Sequence, residues 1–146
     1  MRVMDNILFY STNLKAKEAN VKEAILKGLA EDKGLYMPKE IPKLSSNELE
    51  SFKDMEYWEI AFTIMRKFLS GFVDDDNLKS ICIDSYNFPV PIDKLDENKY
   101  VLKLDQGPTA AFKDFAARAM ARIMEYFTEQ DNSNLLILTA TSGDTG

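Results

Sequence analysis

Tyr100-Val101-Leu102-Lys103-Leu104-Asp105-Gln106-Gly107-Pro108-Thr109-Ala110-Ala111-Phe112-Lys113-Asp114-Phe115 reads as a strand, a glycine–proline turn and the opening of a helix. Helical spacing then puts Phe115, Ala116, Ala119, Met120, Ile123, Met124 and Phe127 on one face. A second apolar run, Leu135-Leu136-Ile137-Leu138-Thr139, predicts another strand. Strand, helix, strand over residues 100–139 predicts a βαβ unit. Its strands would pair in parallel, with the helix packed on the sheet. The predicted class is therefore α/β, with a helix-rich region ahead of this unit. Ligands in such sheets bind outside the carboxyl ends of the strands. Two loops are expected at that rim: the turn that carries Lys113, and the terminal Thr141-Ser142-Gly143-Asp144-Thr145-Gly146.

Lys113 stands out chemically. A lysine at a helix start meets the positive end of the macrodipole, where a cation is disfavoured. Neighbouring alanines and phenylalanines are expected to shield it from water. Both effects favour the neutral amine, the form that attacks a carbonyl. Position alone fits a solvated surface charge better. Asp114 reads as a carboxylate capping backbone amides at the helix start, and Thr109 as a helix cap.

Other segments supply the frame. Ile7-Leu8-Phe9-Tyr10 predicts a short strand closed by Ser11-Thr12-Asn13. Ala19 to Ala30 predicts a helix with Val21, Ala24, Ile25 and Leu29 on one face. Gly34, Pro38 and Pro42 mark a turn-rich connection. Ser46 is a candidate N-cap, and Tyr57 to Ser70 predicts a helix with an apolar stripe that stops at Gly71. A further helix is expected from Asp74-Asp75-Asp76 to before Pro89. These aspartates suit a first helical turn and lack the spacing of a calcium loop. Trp58 and the methionines are read as core.

Composition closes several routes. The chain has 146 residues, 45% apolar and 29% charged, enough for a proper core. A net charge of −6, spread along the sequence, argues against nucleic acid as a partner. With no histidine, Ser-His-Asp and Cys-His machinery and imidazole-ligated metals are excluded within this chain. Cys82, the single cysteine, lies in Ile81-Cys82-Ile83 and reads as a buried thiol. No secretory signal is evident, and no apolar run approaches the roughly 20 residues of a membrane span. The expected compartment is the cytoplasm, without a membrane partner.

Three segments in order carry a resemblance. Tyr10-Ser11-Thr12, Ala24-Ile25-Leu26-Lys27-Gly28-Leu29-Ala30 and Asp32-Lys33-Gly34-Leu35-Tyr36-Met37-Pro38 form the first. Gly107-Pro108-Thr109 with Phe112-Lys113-Asp114 is the second, and Thr141 to Gly146 the third. Together they resemble threonine synthase, a fold-type-II pyridoxal-phosphate enzyme family. The resemblance implies that Lys113 forms the internal aldimine with pyridoxal 5'-phosphate and then shuttles protons at the substrate's α and β carbons. It implies that Ser142, Gly143, Asp144 and Thr145 hold the substrate carboxylate beside the cofactor, with Asp144 also facing the cofactor. The implied reaction converts O-phospho-L-homoserine and water to L-threonine and phosphate. A serine or threonine dehydratase, or a non-catalytic interaction module, remain as alternatives.

Two departures accompany the resemblance. Many family members carry Phe-His before Gly-Pro-Thr, where this chain has Asp105-Gln106, so no role passes from that histidine. The usual Asp-Gly-Gly is Asp32-Lys33-Gly34 here, which suggests a turn needing one residue with free φ. The family also uses a second glycine-rich loop for the cofactor phosphate and a partner for the pyridine nitrogen, expected beyond Gly146. The chain is therefore read as an N-terminal fragment, inactive alone. Residues 1–91 would form the threonine-synthase-type N-terminal domain, and residues 92–146 the start of the cofactor-binding domain.

Overall fold

Phe9–Ser11 (β1) pairs antiparallel with Tyr36–Pro38 (β2) in a computed structural model that describes residues 7–141 and Gly143. The chain divides into two compact units, Met1–Ser80 and Ile81–Gly146. In the first, Asp32, in the turn ahead of β2, ties down the end of β1 and the loop that follows it. The Ser11 hydroxyl donates to Asp32 Oδ1 at 2.5 Å, and the Gly34 N–H to the same oxygen at 3.0 Å. The N–H groups of Lys15 and Ala16 each donate to Oδ2 at 2.9 Å. The Ser11 hydroxyl, ahead of these backbone donors, holds the Asp32 carboxyl well below the usual carboxylate range.

Gly34 is required by space. A Cβ there would sit 2.1 Å from Ser11 Oγ and 2.8 Å from the Asn13 nitrogen. One residue of the turn does take a positive φ, but it is Lys33, at +67°. The lysine thus occupies the left-handed position at a cost of about 1–2 kcal/mol, and the glycine answers a close approach instead.

The helix expected over 19–30 is shorter, Val21–Lys27 (α1). Ala19 is drawn into a bridge with Phe9, and the Ala30 N–H bonds the Gly34 carbonyl, so both ends of the predicted run serve the sheet and its turn. Asn20 and Glu23 close its start in a capping box. Ser46–Ser51 (α2) follows, with Ser45 rather than Ser46 as the N-cap, in a second capping box with Glu48. Tyr57–Leu69 (α3) runs as expected, with Gly71 at φ +84° just past its end. Lys67 Nζ lies 2.6 Å from Glu48 Oε1. That ammonium, then the Ser45 N–H and hydroxyl, lower the Glu48 carboxyl to about 2. Trp58 is half-buried, with Lys79 Nζ 5.5 Å from its ring centroid.

Asp75–Ser85 (α4) crosses the boundary between the units. Asp74 Oδ1 accepts the Asn77 N–H at 3.0 Å, the helix-start role expected of that aspartate run. Cys82 is fully buried, and burial pushes its thiol up to about 11.

The second unit departs from the βαβ expectation. Lys99–Leu102 (β4) pairs antiparallel with Ile92–Asp96 (β3), with an irregularity between Lys94 and Asp96. The parallel pairing expected between the strand at Tyr100 and the run at Leu135 is not made among the described residues. A neighbouring segment, β3, takes one edge of β4 through a short turn. Leu135–Thr139 has no strand partner there, and Leu136 and Leu138 are 81% and 85% exposed. The predicted helix is present as Asp114–Gln130 (α5), with Ala119, Ile123 and Phe127 buried. Met120, expected on the same face, is exposed.

No helix of the described residues is long and apolar enough to cross a membrane.

Candidate active site

The turn before α5 is built around Asp114. This aspartate is only 5% exposed. Its Oδ2 accepts the Thr109 N–H at 3.0 Å, and its Oδ1 accepts the Thr109 hydroxyl at 2.9 Å. Asp114 therefore satisfies amide and hydroxyl donors of the preceding turn. Thr109 does not accept from the helix start as a cap would; its hydroxyl serves Asp114. Gly107 lies directly beneath: a Cβ there would fall 2.3 Å from Asp114 Oδ2 and 2.8 Å from Asp114 Cβ. The Ala110 N–H closes the turn on the Gly107 carbonyl at 3.0 Å. To do so Ala110 adopts φ +56°, which costs an L-residue about 1–2 kcal/mol.

Lys113 emerges from this turn at the N-cap of α5, with φ −65° and ψ −20°. Its carbonyl accepts the N–H groups of Ala116 at 3.1 Å and Ala117 at 2.8 Å, so its backbone is fixed into the first helical turn. Two residues on, Phe115 meets the Phe88 ring edge-on at 5.1 Å and the Tyr86 ring at 6.4 Å. Lys113 itself is half-buried, with Nζ 5.9 Å from the Phe112 ring centroid. The shielding expected from its neighbours is thin, since Phe112 is 64% exposed and Ala110 is exposed.

The start of α5 differs from the other described helix starts. Those of α1, α2, α3 and α4 receive carboxylates from Glu23, Glu48, Glu59 and Asp74. The Lys113 start has no side-chain cap hydrogen bond. A primary amine carried on a fixed backbone and half-exposed suits a cofactor carrying an aldehyde. The other described helix starts are filled by carboxylates and do not suit its phosphate.

Of the expected terminal loop, Gly143 is described. It takes φ +129°, a glycine conformation, and donates its N–H to Thr141 Oγ1 at 3.1 Å. Ser142, Asp144 and Thr145 lie outside the described residues. Two features had no signature in the sequence: the left-handed Ala110, where glycine would be the obvious choice, and the packing of Gly107 on Asp114.

Comparison with known proteins points the same way. A family model described as "Threonine synthase N terminus" matches residues 8–86. The threonine synthase of Pseudomonas aeruginosa is 36% identical over 143 residues, covering 94% of this chain and 30% of that protein. That of Schizosaccharomyces pombe is 36% identical over 154 residues, covering 96% and 30%. The fold is similar to the Escherichia coli threonine synthase crystal structure, with TM-score 0.83, 28% identity and coverage of 94% of this chain and 32% of that one. It is also similar to a pyridoxal-phosphate-bound threonine synthase from Brucella melitensis, with TM-score 0.82, 31% identity and coverage of 87% and 28%. The mixed α/β class is thus shared with solved structures. The chain spans about 30% of the length of the curated relatives it matches.

Proposed function

From the premise that this chain belongs to the threonine synthase N-terminus family, we propose that it serves the conversion of O-phospho-L-homoserine and water to L-threonine and phosphate, with Lys113 as the covalent anchor for pyridoxal 5'-phosphate. The placement of Lys113 carries this reading: a half-buried amine at a helix start without a side-chain cap, its backbone held from both sides. When bound, pyridoxal phosphate supplies the electron sink. Lys113 Nζ would hold the cofactor by its aldehyde group, and the same amine would move protons at the substrate's α and β carbons. Asp114 and Gly107 hold the turn that aims it. Ser142, Gly143, Asp144 and Thr145 take the substrate carboxylate on backbone amides and hydroxyls, with Asp144 also toward the cofactor. Residues 1–91 serve as the N-terminal domain and residues 92–146 open the cofactor-binding domain. This division is supported by a family match that ends at residue 86 and a hairpin that begins at Ile92. The substrate is a small molecule and the compartment the cytoplasm, and the acidic balance of the chain, −6, speaks against nucleic acid as a partner.

Trapping tests the anchor. The chain is incubated with pyridoxal phosphate, reduced with borohydride and mapped by mass spectrometry. A dominant reduced adduct on Lys113, absent from Lys113→Ala, is the expected result. Adducts spread evenly over surface lysines would overturn the assignment and favour a non-catalytic module.

A further inference from the structure

We propose that Arg118 is a positioning residue that sets where Lys113 presents its amine. The inference rests on the anchor role of Lys113 and extends it to a second side chain. Arg118 lies five positions further along the same helix, and its guanidinium reaches across to the segment at the end of α4. Its Nε donates to the Ser85 carbonyl at 3.0 Å, and its Nη2 to the Asp84 carbonyl at 2.6 Å and to Asn87 Oδ1 at 3.0 Å. The guanidinium carbon lies 5.8 Å from the Phe88 ring centroid, and that ring meets Phe115 edge-on.

Chemistry explains why an arginine stands there. The last carbonyls of a helix have no partner within it, and they form its negative end. A planar fork can satisfy two of them at once, where an ammonium acts as a single point charge. The Asp84 carboxylate is meanwhile engaged by Arg122 at 2.6 Å, and Arg122 also bonds Glu125 at 3.0 Å. Arg118 therefore gives two of its hydrogen bonds to main-chain carbonyls, whose directions are fixed by backbone, and one to the Asn87 side-chain amide oxygen. That makes it a geometric tether more than a charge partner.

The tether acts on the site because of where it grips. Asp114 fixes the chain just after Lys113 to the incoming turn. Phe115 and Arg118 fix the next turn of α5 to residues 84–88. Lys113 is thus held on one side by the turn and on the other by this clamp. Releasing the clamp frees the head of α5 to pivot on the Gly107–Asp114 turn and moves the amine from its place. Misplacement of a reacting group by about 1 Å can cost on the order of a hundredfold in rate.

The test compares trapping at Lys113 with trapping at Lys99, an exposed lysine in the same chain. In Arg118→Ala the Lys113 to Lys99 adduct ratio is expected to fall about tenfold, and added methylguanidine to restore most of it. Arg118→Lys is expected to stay low, because one ammonium does not replace the fork. Where circular dichroism shows that Arg118→Ala fails to fold, Asn87→Ala removes a single hydrogen bond and is expected to lower the ratio about twofold. An unchanged ratio in folded Arg118→Ala, or in Asn87→Ala where the first variant does not fold, overturns the positioning role alone. A wild-type chain with no preference for Lys113 overturns the anchor itself, and this inference with it.

Discussion

Two aspartates in this chain do the same local work with different consequences. Asp32 gathers a hydroxyl and three backbone N–H groups around a half-buried carboxylate, with Gly34 pressed against its Ser11 donor. Asp114 gathers the hydroxyl and N–H of Thr109, with Gly107 pressed against its carboxylate. Each joins a glycine without room for a side chain to an acid that ties down a turn. The Asp32 knot ties its turn to Ser11 at the end of β1 and to the loop at Lys15 and Ala16. The Asp114 knot lies next to Lys113, at the head of α5. The difference teaches that a rigid turn is a structural device in itself and becomes a functional one through the side chain it aims.

Alanine in place of each glycine probes that parallel most severely. In Gly34→Ala the new methyl meets a backbone nitrogen, which cannot swing aside, as well as Ser11 Oγ. The expected loss of stability is about 3 kcal/mol in urea titration. For Gly107→Ala the nearest atoms all belong to the Asp114 side chain, and the expected loss is about 2 kcal/mol. This second variant is also expected to lower borohydride trapping at Lys113, which Gly34→Ala leaves untouched wherever the chain remains folded. Equal effects of the two variants on trapping would erase the distinction between the knots.

Acid separates them next. The folded-state value of Asp32 is depressed, so its contribution is present above the unfolded carboxylate value and is lost as pH falls through the folded one. Glu48, lowered to about 2 beside Lys67, acts in the same direction. The melting temperature is expected to drop as pH falls from about 5 towards 2, with a shallower slope in Asp32→Asn. An unchanged slope in that variant would remove Asp32 from the acid response. The smallest expected effect is a gain. Lys33→Gly relieves the left-handed lysine at the cost of a more flexible unfolded chain, for a net stabilisation of about 0.5 kcal/mol. A loss on the same measurement would mean that the lysine side chain contributes more than its backbone costs.

Much of the helical frame was legible from spacing and caps. α3 and α5 fall where their apolar stripes place them, and α4 where its aspartate start and the following Pro89 place it. Strands were less legible. Tyr36-Met37-Pro38 contains a proline, and Ile92-Asp93-Lys94-Leu95-Asp96 alternates with charge on an exposed hairpin, so neither reads as buried strand. The run at Leu135 had the composition of a strand, but pairing is a property of two segments, and among the described residues β4 pairs with β3 only. At the site, Lys113 and its Asp114 neighbour were visible as a motif and stand together at the head of α5. Ser142, Asp144 and Thr145 stay outside the described residues. Arg118 left no mark in the sequence because two of its three acceptors are main-chain carbonyls, which any residue supplies.

Cys82 has a practical corollary. A thiol fully enclosed and raised to about 11 stays protonated and out of reach at neutral pH. Alkylating dyes will therefore pass it by while the fold is intact. A cysteine introduced at exposed Phe112 would then be the one target for a fluorophore or spin label, one peptide bond from the lysine, with no native thiol to delete first. The molecule comes ready for spectroscopy on the motion of its own helix head.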